Sequence, residues 1–283
     1  MSFWLGCAVW AYRDWTGDLF PGKATPRDFL RLYSRRLTAV EGNAAFYAVP
    51  AETTLVQWRQ TAPQGFKFCP KLYRGVTHQG PLYPQRHLAL EVIDRLRLLE
   101  DRLGPLMIQL PPSYGPNQLE DLTQFLAVLP PDVAVAVEVR HPGWFDAGAA
   151  QRLNRLLQQR QVGRCLLDTR PIYSGPDDPQ RQSQRRKPQV PLQPVVTAPF
   201  SVVRYIGHPE PDRNQIYIED WVTQIKAWLS QGTEIYLFVH CPQEVRSPSI
   251  VKVFQRQLEA AGAPVPALPW LQLQEPSQLS LFS

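Results

Sequence analysis

Short apolar runs alternate with stretches of helical hydrophobic periodicity about eight times along this chain of 283 residues. The apolar runs have strand length, and they predict eight β-strands at residues 3–9, 38–41, 66–71, 105–110, 133–139, 163–168, 201–206 and 234–239. Helical patterns at 85–103, 118–128, 147–160, 216–230 and 248–261, and a helix start at Thr25-Pro26, separate the strands. This alternation predicts an α/β protein with the architecture of a single (β/α)8 TIM-type barrel. An open, doubly wound sheet is the alternative, but no glycine-rich dinucleotide loop follows the first strand.

Two segments interrupt the alternation. Residues 170–200 are rich in Pro, Gln, Arg and Ser and lack periodicity, which predicts a long loop after the sixth strand. Residues 263–283 contain spaced prolines and polar residues, which is typical of a flexible tail. We therefore expect one barrel domain over residues 1–262, followed by a flexible tail over 263–283.

The composition limits where the chain is expected to act. No apolar stretch has the roughly 18 residues of a membrane-spanning helix, and the apolar start has no basic leader of the kind that precedes a signal peptide. The cysteines are far apart, at Cys7, Cys69, Cys165 and Cys241. This spacing argues against a zinc knuckle or a disulfide framework. We expect a cytoplasmic protein without a membrane partner.

The charge distribution bears on whether the chain binds an anionic partner. The formal net charge is +5, with 24 Arg and 6 Lys, and residues 151–187 alone contain nine basic and three acidic residues. Guanidinium groups suit phosphate recognition because they present several donors in a fixed fork. The segment is predicted either to bind a polyanion such as DNA or to form a basic face that contacts only solvent.

Polar side chains end or follow nearly every predicted strand: Glu41, Asn43, Lys71, Gln109, Glu138, Arg140, His141, Asp168, Arg204 and His240. Active sites of (β/α)8 barrels lie at this carboxyl end of the strands. Buried carboxylates are costly unless they are paired, so their convergence predicts a polar cavity. We therefore predict a ligand-binding or catalytic site there.

The candidate catalytic residues are Glu41, Lys71, Glu138 and His141. Glu41 and Glu138 would serve as general acid and base in glycoside or phosphoester cleavage. Lys71 would pair with a carboxylate, hold a phosphate or act as an amine nucleophile. The expected substrate-binding residues are Trp10, Tyr12, Asn43, Tyr47, His78, Gln109, Arg140, Trp144, Asp168, Arg204 and His240. We assign no metal ligands and no certain cofactor; a divalent metal is the less favoured alternative, because no metal-ligand spacing supports it.

Several of these residues lie in motifs that resemble a known family. The motifs VEGNAAFY (40–47), FKFCPKLYRGVTH (66–78), GPLMIQLPPSY (104–114) and AVEVRHPGW (136–144) occur in the order seen in the YecE-like family, the domain of unknown function numbered seventy-two. The resemblance implies a (β/α)8 barrel comparable with enzymes of the endonuclease IV type, which nick DNA at abasic sites. It implies no established activity. It places the recurring polar residues of the family on Glu41, Asn43, Tyr47, Lys71, Thr77, His78, Gln109, Glu138, Arg140, His141, Trp144 and Arg204.

The last residues form a second motif. Gln278, Leu279, Ser280, Leu281 and Phe282 spell QLSLF, which resembles the pentapeptide by which bacterial polymerases and repair factors dock on the replication sliding clamp. The two final apolar side chains would fill a pocket and the glutamine would hydrogen-bond beside it. The alternative is an apolar terminus folded back onto the barrel.

These features together favour an enzyme that acts on DNA or a nucleotide-like phosphoester and is tethered to the sliding clamp. Hydrolase or lyase chemistry on a phosphodiester or an abasic site is the reaction we expect, with a DNA repair role. One alternative is a hydrolase acting on a glycoside or a small phosphate, with an incidental tail. The other is a non-catalytic nucleic-acid-binding adaptor.

Overall fold

Eight parallel strands form one sheet in the computed structural model, which describes residues 2–181, 183 and 186–272. The strands are β1 (Phe3–Cys7), β2 (Ala39–Gly42), β3 (Lys67–Pro70), β4 (Leu106–Gln109), β5 (Val135–Glu138), β6 (Gly163–Asp168), β7 (Phe200–Ile206) and β8 (Glu234–His240). All eight predicted strands are confirmed, and their bounds differ from the prediction by two residues or fewer.

The sheet curls into a nearly closed barrel. The strand order is β3-β2-β1-β8-β7-β6-β5-β4, so only β3 and β4 stand at its ends. A bridge between Lys71 and Met107 joins these two ends, and the Leu72 N–H donates to the Met107 carbonyl at 2.9 Å. The (β/α)8 prediction is therefore confirmed, and the open doubly wound alternative is wrong.

The helices of the described residues lie between the strands. They are α1 (Phe29–Ser34), α2 (Ala44–Tyr47), α3 (Glu52–Thr61), α4 (Arg74–Thr77), α5 (Arg86–Leu96), α6 (Leu119–Ala127), α7 (Ala147–Gln159), α8 (Arg170–Tyr173), α9 (Gln215–Ser230), α10 (Ser247–Ala260) and α11 (Pro269–Gln272). Short 3-10 helices occur at Arg13–Trp15, Tyr83–Gln85, Arg97–Arg102, Pro116–Gln118, Pro142–Phe145, Pro211–Asn214 and Glu244–Arg246. Each long predicted helical pattern is occupied by a helix, and α3 is an additional helix that the pattern did not predict.

The barrel interior is filled in layers because alternate side chains of each strand point inward. The lower layer is apolar and consists of Trp4, Ala39, Cys69, Met107, Ala136, Cys165, Phe200, Val202, Tyr236 and Phe238. Trp4 and Tyr236 stack there with ring centroids 4.5 Å apart. β1 approaches β2 so closely that a side chain at Gly6 would overlap the Ala39 carbonyl oxygen. The next inward positions lie at the carboxyl ends of the strands, which we call the mouth of the barrel.

Segment 170–200, which was predicted as a long loop, begins with the short helix α8 at Arg170–Tyr173. Chain between α8 and β7 forms no helix or strand among its described residues, yet Gln180, Val190 and Thr197 are buried. This burial shows that the loop packs on the barrel.

The expected tail differs from the structure in its first part. Leu268 is buried, and the Trp270 ring lies over the Lys252 ammonium. The backbone N–H of Trp270 donates to the Arg36 carbonyl at 3.0 Å. Residues 263–270 therefore pack against the barrel, with Leu268 and Trp270 as the apolar side chains that contact its outer surface. The motif at 278–282 lies outside the described residues.

The basic residues of segment 151–187 do not form one surface. Arg164 is buried and bonds Asn154 and Gln193, whereas Arg170 pairs with two aspartates. The exposed arginines lie apart: Arg152 and Arg155 on the outer face of α7, Arg160 directly after it, and Arg181 and Arg186 in the loop after α8. The local excess of positive charge is thus divided among separate parts of the molecule.

Candidate functional site

Three charged side chains cross the mouth of the barrel. Arg204 on β7 donates from Nε and Nη2 to the two carboxylate oxygens of Glu41 on β2, at 2.6 and 2.9 Å. Its Nη1 donates to Glu138 Oε2 on β5 at 2.6 Å. All three are at least 98% buried. A bidentate pair of this kind is a strong charge-assisted contact, and it holds both carboxylates in fixed positions.

Two more cations complete the network. Lys71 Nζ lies 2.7 Å from Glu41 Oε1. Arg140 donates from Nε to Glu138 Oε1 at 2.6 Å and from Nη2 to Gln109 Oε1 at 2.8 Å. We call Glu41, Lys71, Glu138, Arg140 and Arg204 the charged layer. The structure thus brings together six of the residues predicted from strand ends.

The pKa shifts show that both carboxylates are ionised. Burial acts to raise the pKa of Glu41, but Arg204 and Lys71 more than offset it, and the pKa falls well below its usual range. Burial likewise opposes ionisation of Glu138, and Arg204, Arg140 and Lys71 lower its pKa to about 2. Neither carboxyl group therefore holds a proton at neutral pH.

Burial and the neighbouring cation Arg204 lower the pKa of Lys71 to about 8, against the opposing effect of Glu41. The charged layer contains three cations and two carboxylates, so it carries one surplus positive charge. The Cys165 thiol, 3.7 Å from Glu138 Oε2, was not predicted as part of the site. Burial raises its pKa, so it is not a thiolate nucleophile.

Predicted residues from the ends of β2 and β3 lie at the rim. His78 Nδ1 is 2.8 Å from Thr77 Oγ1, and its ring packs edge-on against Phe46. Burial lowers the pKa of His78, and Arg140 lowers it further. Asn43 donates to the Ala8 carbonyl at 2.6 Å, which ties β2 to the end of β1. Tyr47 is 49% exposed, at the end of α2.

His240 stands on the β8 side of the mouth. Its Nδ1 lies 2.7 Å from Glu244 Oε2. Burial lowers the pKa of His240. Burial is the main cause of a raised pKa for Tyr12, to which Asp14 and Glu244 also contribute. Glu244 was not predicted as part of the site; it begins the 3-10 helix after β8, four residues after His240.

His141 and Trp144 share the 3-10 turn after β5 but have different surroundings. His141 is half-buried, and its Nδ1 accepts from the Gly143 N–H at 3.0 Å. Trp144 is fully buried and donates to the Tyr114 carbonyl at 2.7 Å. His141 therefore remains a candidate at the mouth, whereas the substrate-binding role expected of Trp144 is wrong because its ring is sealed in the core.

Two other expected ligand contacts lie outside the barrel interior. Asp168 accepts from the Trp221 indole at 2.7 Å and from the guanidinium of Arg170, so it faces the surrounding helices. Trp10 packs edge-on against Trp58 of α3, with ring centroids 4.8 Å apart. The prediction for Asp168 is wrong, because its carboxylate is fully buried against the outer helices, whereas Trp10 is half-buried and its expected role stays a prediction.

The loop after α8 adds a residue that the sequence analysis missed. The charge of Lys187 interacts with those of Arg204, Lys71, Glu41 and Arg140, and it lowers the pKa of His240. The Lys187 carbonyl accepts from the hydroxyl of Tyr173 in α8, directly after β6, which places Lys187 at the mouth. Its segment has no periodicity, so nothing in the sequence indicated where the lysine would lie.

Within residues 2–181, 183 and 186–272, no three His, Cys, Asp or Glu side chains lie grouped so that they could hold a metal ion. None of the helices in the described part of the chain combines the length and apolar character that a membrane crossing needs.

Comparison with known proteins identifies the family. A model described as "Protein of unknown function DUF72" matches residues 4–273. The chain is 35% identical over 256 residues to the UPF0759 protein YecE of Escherichia coli strain K12, covering 89% of this chain and 92% of YecE. It is 22% identical over 254 residues to the UPF0759 protein YunF of Bacillus subtilis strain 168, covering 83% and 86%.

Solved structures agree with the fold. A DUF72 family protein from Enterococcus faecalis V583 superposes with a TM-score of 0.68 at 18% identity, covering 91% of this chain and 95% of that one. One from Thermotoga maritima MSB8 superposes with a TM-score of 0.67 at 19% identity, covering 92% and 100%. The matched family model and the similarity to YecE confirm the resemblance seen in the motifs: the chain belongs to the DUF72 family.

Proposed function

We propose that the mouth of the barrel binds an anionic ligand that carries a phosphate group. The observation that supports this is the surplus positive charge of the charged layer, which is largely buried. Charges in a site of low dielectric attract an anion more strongly than charges in water do. A phosphate group that displaces water there would neutralise the surplus.

The cations of the charged layer have different roles in this proposal. Arg204 already uses all three of its guanidinium nitrogens on Glu41 and Glu138, so it organises the carboxylates. Lys71 has one carboxylate partner, and the side chain of Arg140 keeps 16% of its surface exposed. Lys71 and Arg140 are therefore the phosphate contacts.

Among phosphate-bearing ligands we place DNA or a nucleotide-like phosphoester first, with hydrolase or lyase chemistry on a phosphodiester or abasic site. The layer is deeply buried, so duplex DNA would reach it only with the reacting nucleotide extruded from the helix. His78 or His141 would carry the proton, because the imidazole of each is half-buried at the mouth.

The glycosidase alternative is weaker. Glycoside cleavage needs a protonated carboxyl group beside the leaving oxygen, whereas Glu41 and Glu138 are both ionised by their cationic partners. The adaptor alternative shares the binding site and differs in having no turnover. Binding that persists in Glu138→Gln together with an absence of cleavage by the unaltered protein would support the adaptor.

The test uses duplexes containing an abasic site, a nick or no lesion. We expect the intact protein to bind or cleave the abasic duplex in preference, and Arg140→Ala to weaken binding by about 10-fold or more, as for loss of a charge-assisted hydrogen bond. Arg152→Ala, on the exposed face of α7, is the matched control and should leave binding unchanged. No discrimination among duplexes, combined with equal behaviour of both variants, would contradict DNA as the ligand.

We further propose that residues 278–282 tether the protein to the bacterial sliding clamp. The support is the QLSLF sequence itself. Binding to a purified clamp is compared for the full chain, a chain ending at Ser277, and Leu281→Ala with Phe282→Ala. We expect micromolar affinity for the full chain alone. Equal affinity of all three, or no binding by any, would contradict the tether.

A further inference from the structure

Lys187 is held over the mouth of the barrel by its own backbone. Its N–H donates to Gln180 Oε1 at 2.7 Å, and its carbonyl accepts from the Tyr173 hydroxyl at 2.5 Å. The next carbonyl, of Pro188, accepts from Thr169 Oγ1 at 3.1 Å. Gln180 is buried and also donates to Tyr173. Side chains from the loop and from the end of β6 thus fix the backbone on both sides of this lysine.

The side chain of Lys187 meets charged groups from several strands. Burial is the main cause that lowers its pKa, to about 7, and Arg204 and Lys71 lower it further. The groups that interact with its charge are Glu41 on β2, Lys71 after β3, Arg140 after β5, Arg204 on β7 and His240 on β8. These groups all lie at or just after the carboxyl ends of their strands, which is the end of the barrel where the backbone of Lys187 is held.

The other lysines are occupied or exposed. Lys67 and Lys226 donate to backbone carbonyls, and Lys71 pairs with Glu41. The Lys252 ammonium lies over an indole ring, and Lys23 is exposed. Within the described ranges, no hydrogen bond or ion pair joins the Lys187 ammonium group to another residue. It is a half-buried amine without a protein partner among those residues.

We propose that Lys187 is a nucleophile that forms an imine with its substrate, and that the substrate is an aldehyde or ketone carrying a phosphate group. This rests on the proposed function, since the charged layer would hold the phosphate. The free amine adds to the carbonyl carbon to give a carbinolamine. Loss of the former carbonyl oxygen as water, with both amine hydrogens, leaves a C=N bond.

The same cations serve both parts of this chemistry. Arg204, Lys71 and Arg140 disfavour a further positive charge on Lys187, and they also attract the phosphate of the ligand. About half of an amine with a pKa near 7 is uncharged at neutral pH, against roughly 0.03% for a lysine of ordinary pKa. Open-chain sugar phosphates and the aldehyde of an abasic nucleotide both belong to this substrate class.

Reductive trapping tests the proposal. The full chain is incubated with sodium cyanoborohydride and 2-deoxyribose 5-phosphate, neutral 2-deoxyribose or an abasic oligonucleotide, and the modified lysine is mapped by mass spectrometry. We expect a single adduct on Lys187 with the phosphate-bearing probes and at least about 10-fold less with the neutral sugar. The two phosphate probes distinguish a free metabolite from DNA as the source of the carbonyl.

Substitutions distinguish a nucleophilic role of Lys187 from a role in ligand binding alone. Lys187→Arg keeps the charge and should abolish the adduct while retaining phosphate binding; Lys187→Met should also abolish it, with folding checked by circular dichroism. Lys23→Met, at an exposed lysine, should label as the unaltered protein does. Adducts on Lys71, or spread over the lysines, would overturn the assignment. Arg140-dependent phosphate binding without an adduct would refute this inference alone, whereas no binding of any phosphate probe would refute the proposed function.

Discussion

Arg204 and Glu41 face each other across the barrel, from β7 to β2, in a bidentate ion pair with distances of 2.6 and 2.9 Å. β8 and β1 lie between these strands in the sheet. The pair therefore joins parts of the chain 163 residues apart. Because Arg204 also holds Glu138, its removal would leave two buried carboxylates without their main partner.

Arg204→Met should destabilise the protein by about 3–5 kcal/mol, the usual result of removing one member of a buried charge network. Urea unfolding at pH 7 measures this loss. Adding Glu41→Gln to the same variant should recover part of it, because one uncompensated charge is then removed. If the losses in unfolding free energy of the two single variants simply add in the double variant, Arg204 and Glu41 do not interact.

Acid should destabilise the protein through the charged layer. The folded-state pKa values of Glu41 and Glu138 lie below the ordinary value of 4.5, so the unfolded chain binds protons first as pH falls. Their stabilising effect is complete above pH 4.5 and is lost toward the folded pKa, which is about 2 for Glu138. Unfolding free energies measured from pH 6 to 3 should decrease, and the slope should be shallower in Glu138→Gln. An unchanged slope in that variant would contradict the pairing of Glu138.

Gly6→Ala should disrupt the barrel near β1. The added methyl group would overlap the carbonyl of Ala39 and crowd the Tyr33 hydroxyl, both of which belong to a packed interior. We expect a loss of stability of about 3 kcal/mol or failure to fold, since backbone cannot move aside as a side chain does. Gly22→Ala, where the added group meets nothing, is the control for thermal melting. Equal melting temperatures would contradict the close approach of β1 and β2.

The strands could be predicted from sequence because each is a short apolar run that ends in a polar side chain. Helix α3 was missed since only Leu55 of its residues is buried, which leaves no apolar stripe along the helix. The packing of Leu268 and Trp270 was also missed, because prolines beside them resemble those of a flexible tail. Their burial depends on contacts far away in sequence.

The site could be predicted in part for the same reason. Glu41 and Glu138 lie at inward positions near the carboxyl ends of β2 and β5. The polar residues at the ends of the predicted strands were therefore sufficient to locate them. Asp168 ends β6 at an outward position, as its alternation with the inward Cys165 could have indicated. Lys187 could not be located, because its place over the mouth depends on contacts of the loop backbone with Gln180 and Tyr173.

Imine trapping should show an unusual pH dependence. The groups that face Lys187 are Glu41, Lys71, Arg140, Arg204 and His240, and burial together with the cations lowers its pKa to about 7. The free amine should therefore become the major form near pH 7, so the rate of adduct formation should level off by about pH 8. Free Nα-acetyllysine, an amine of ordinary pKa, should continue to gain reactivity up to about pH 10. A parallel increase for Lys187 and this free amine up to pH 10 would contradict the environment described for Lys187.

Binding of a phosphate group to the charged layer is the central claim, and isothermal titration of 2-deoxyribose 5-phosphate tests it most directly. We predict saturable binding by the full chain, about 10-fold or more weaker in Arg140→Ala and unchanged in Arg152→Ala. Neutral 2-deoxyribose should bind far more weakly than its phosphate. Equal affinities for the sugar and its phosphate, or equal affinities of Arg140→Ala and the unaltered protein, would contradict the account.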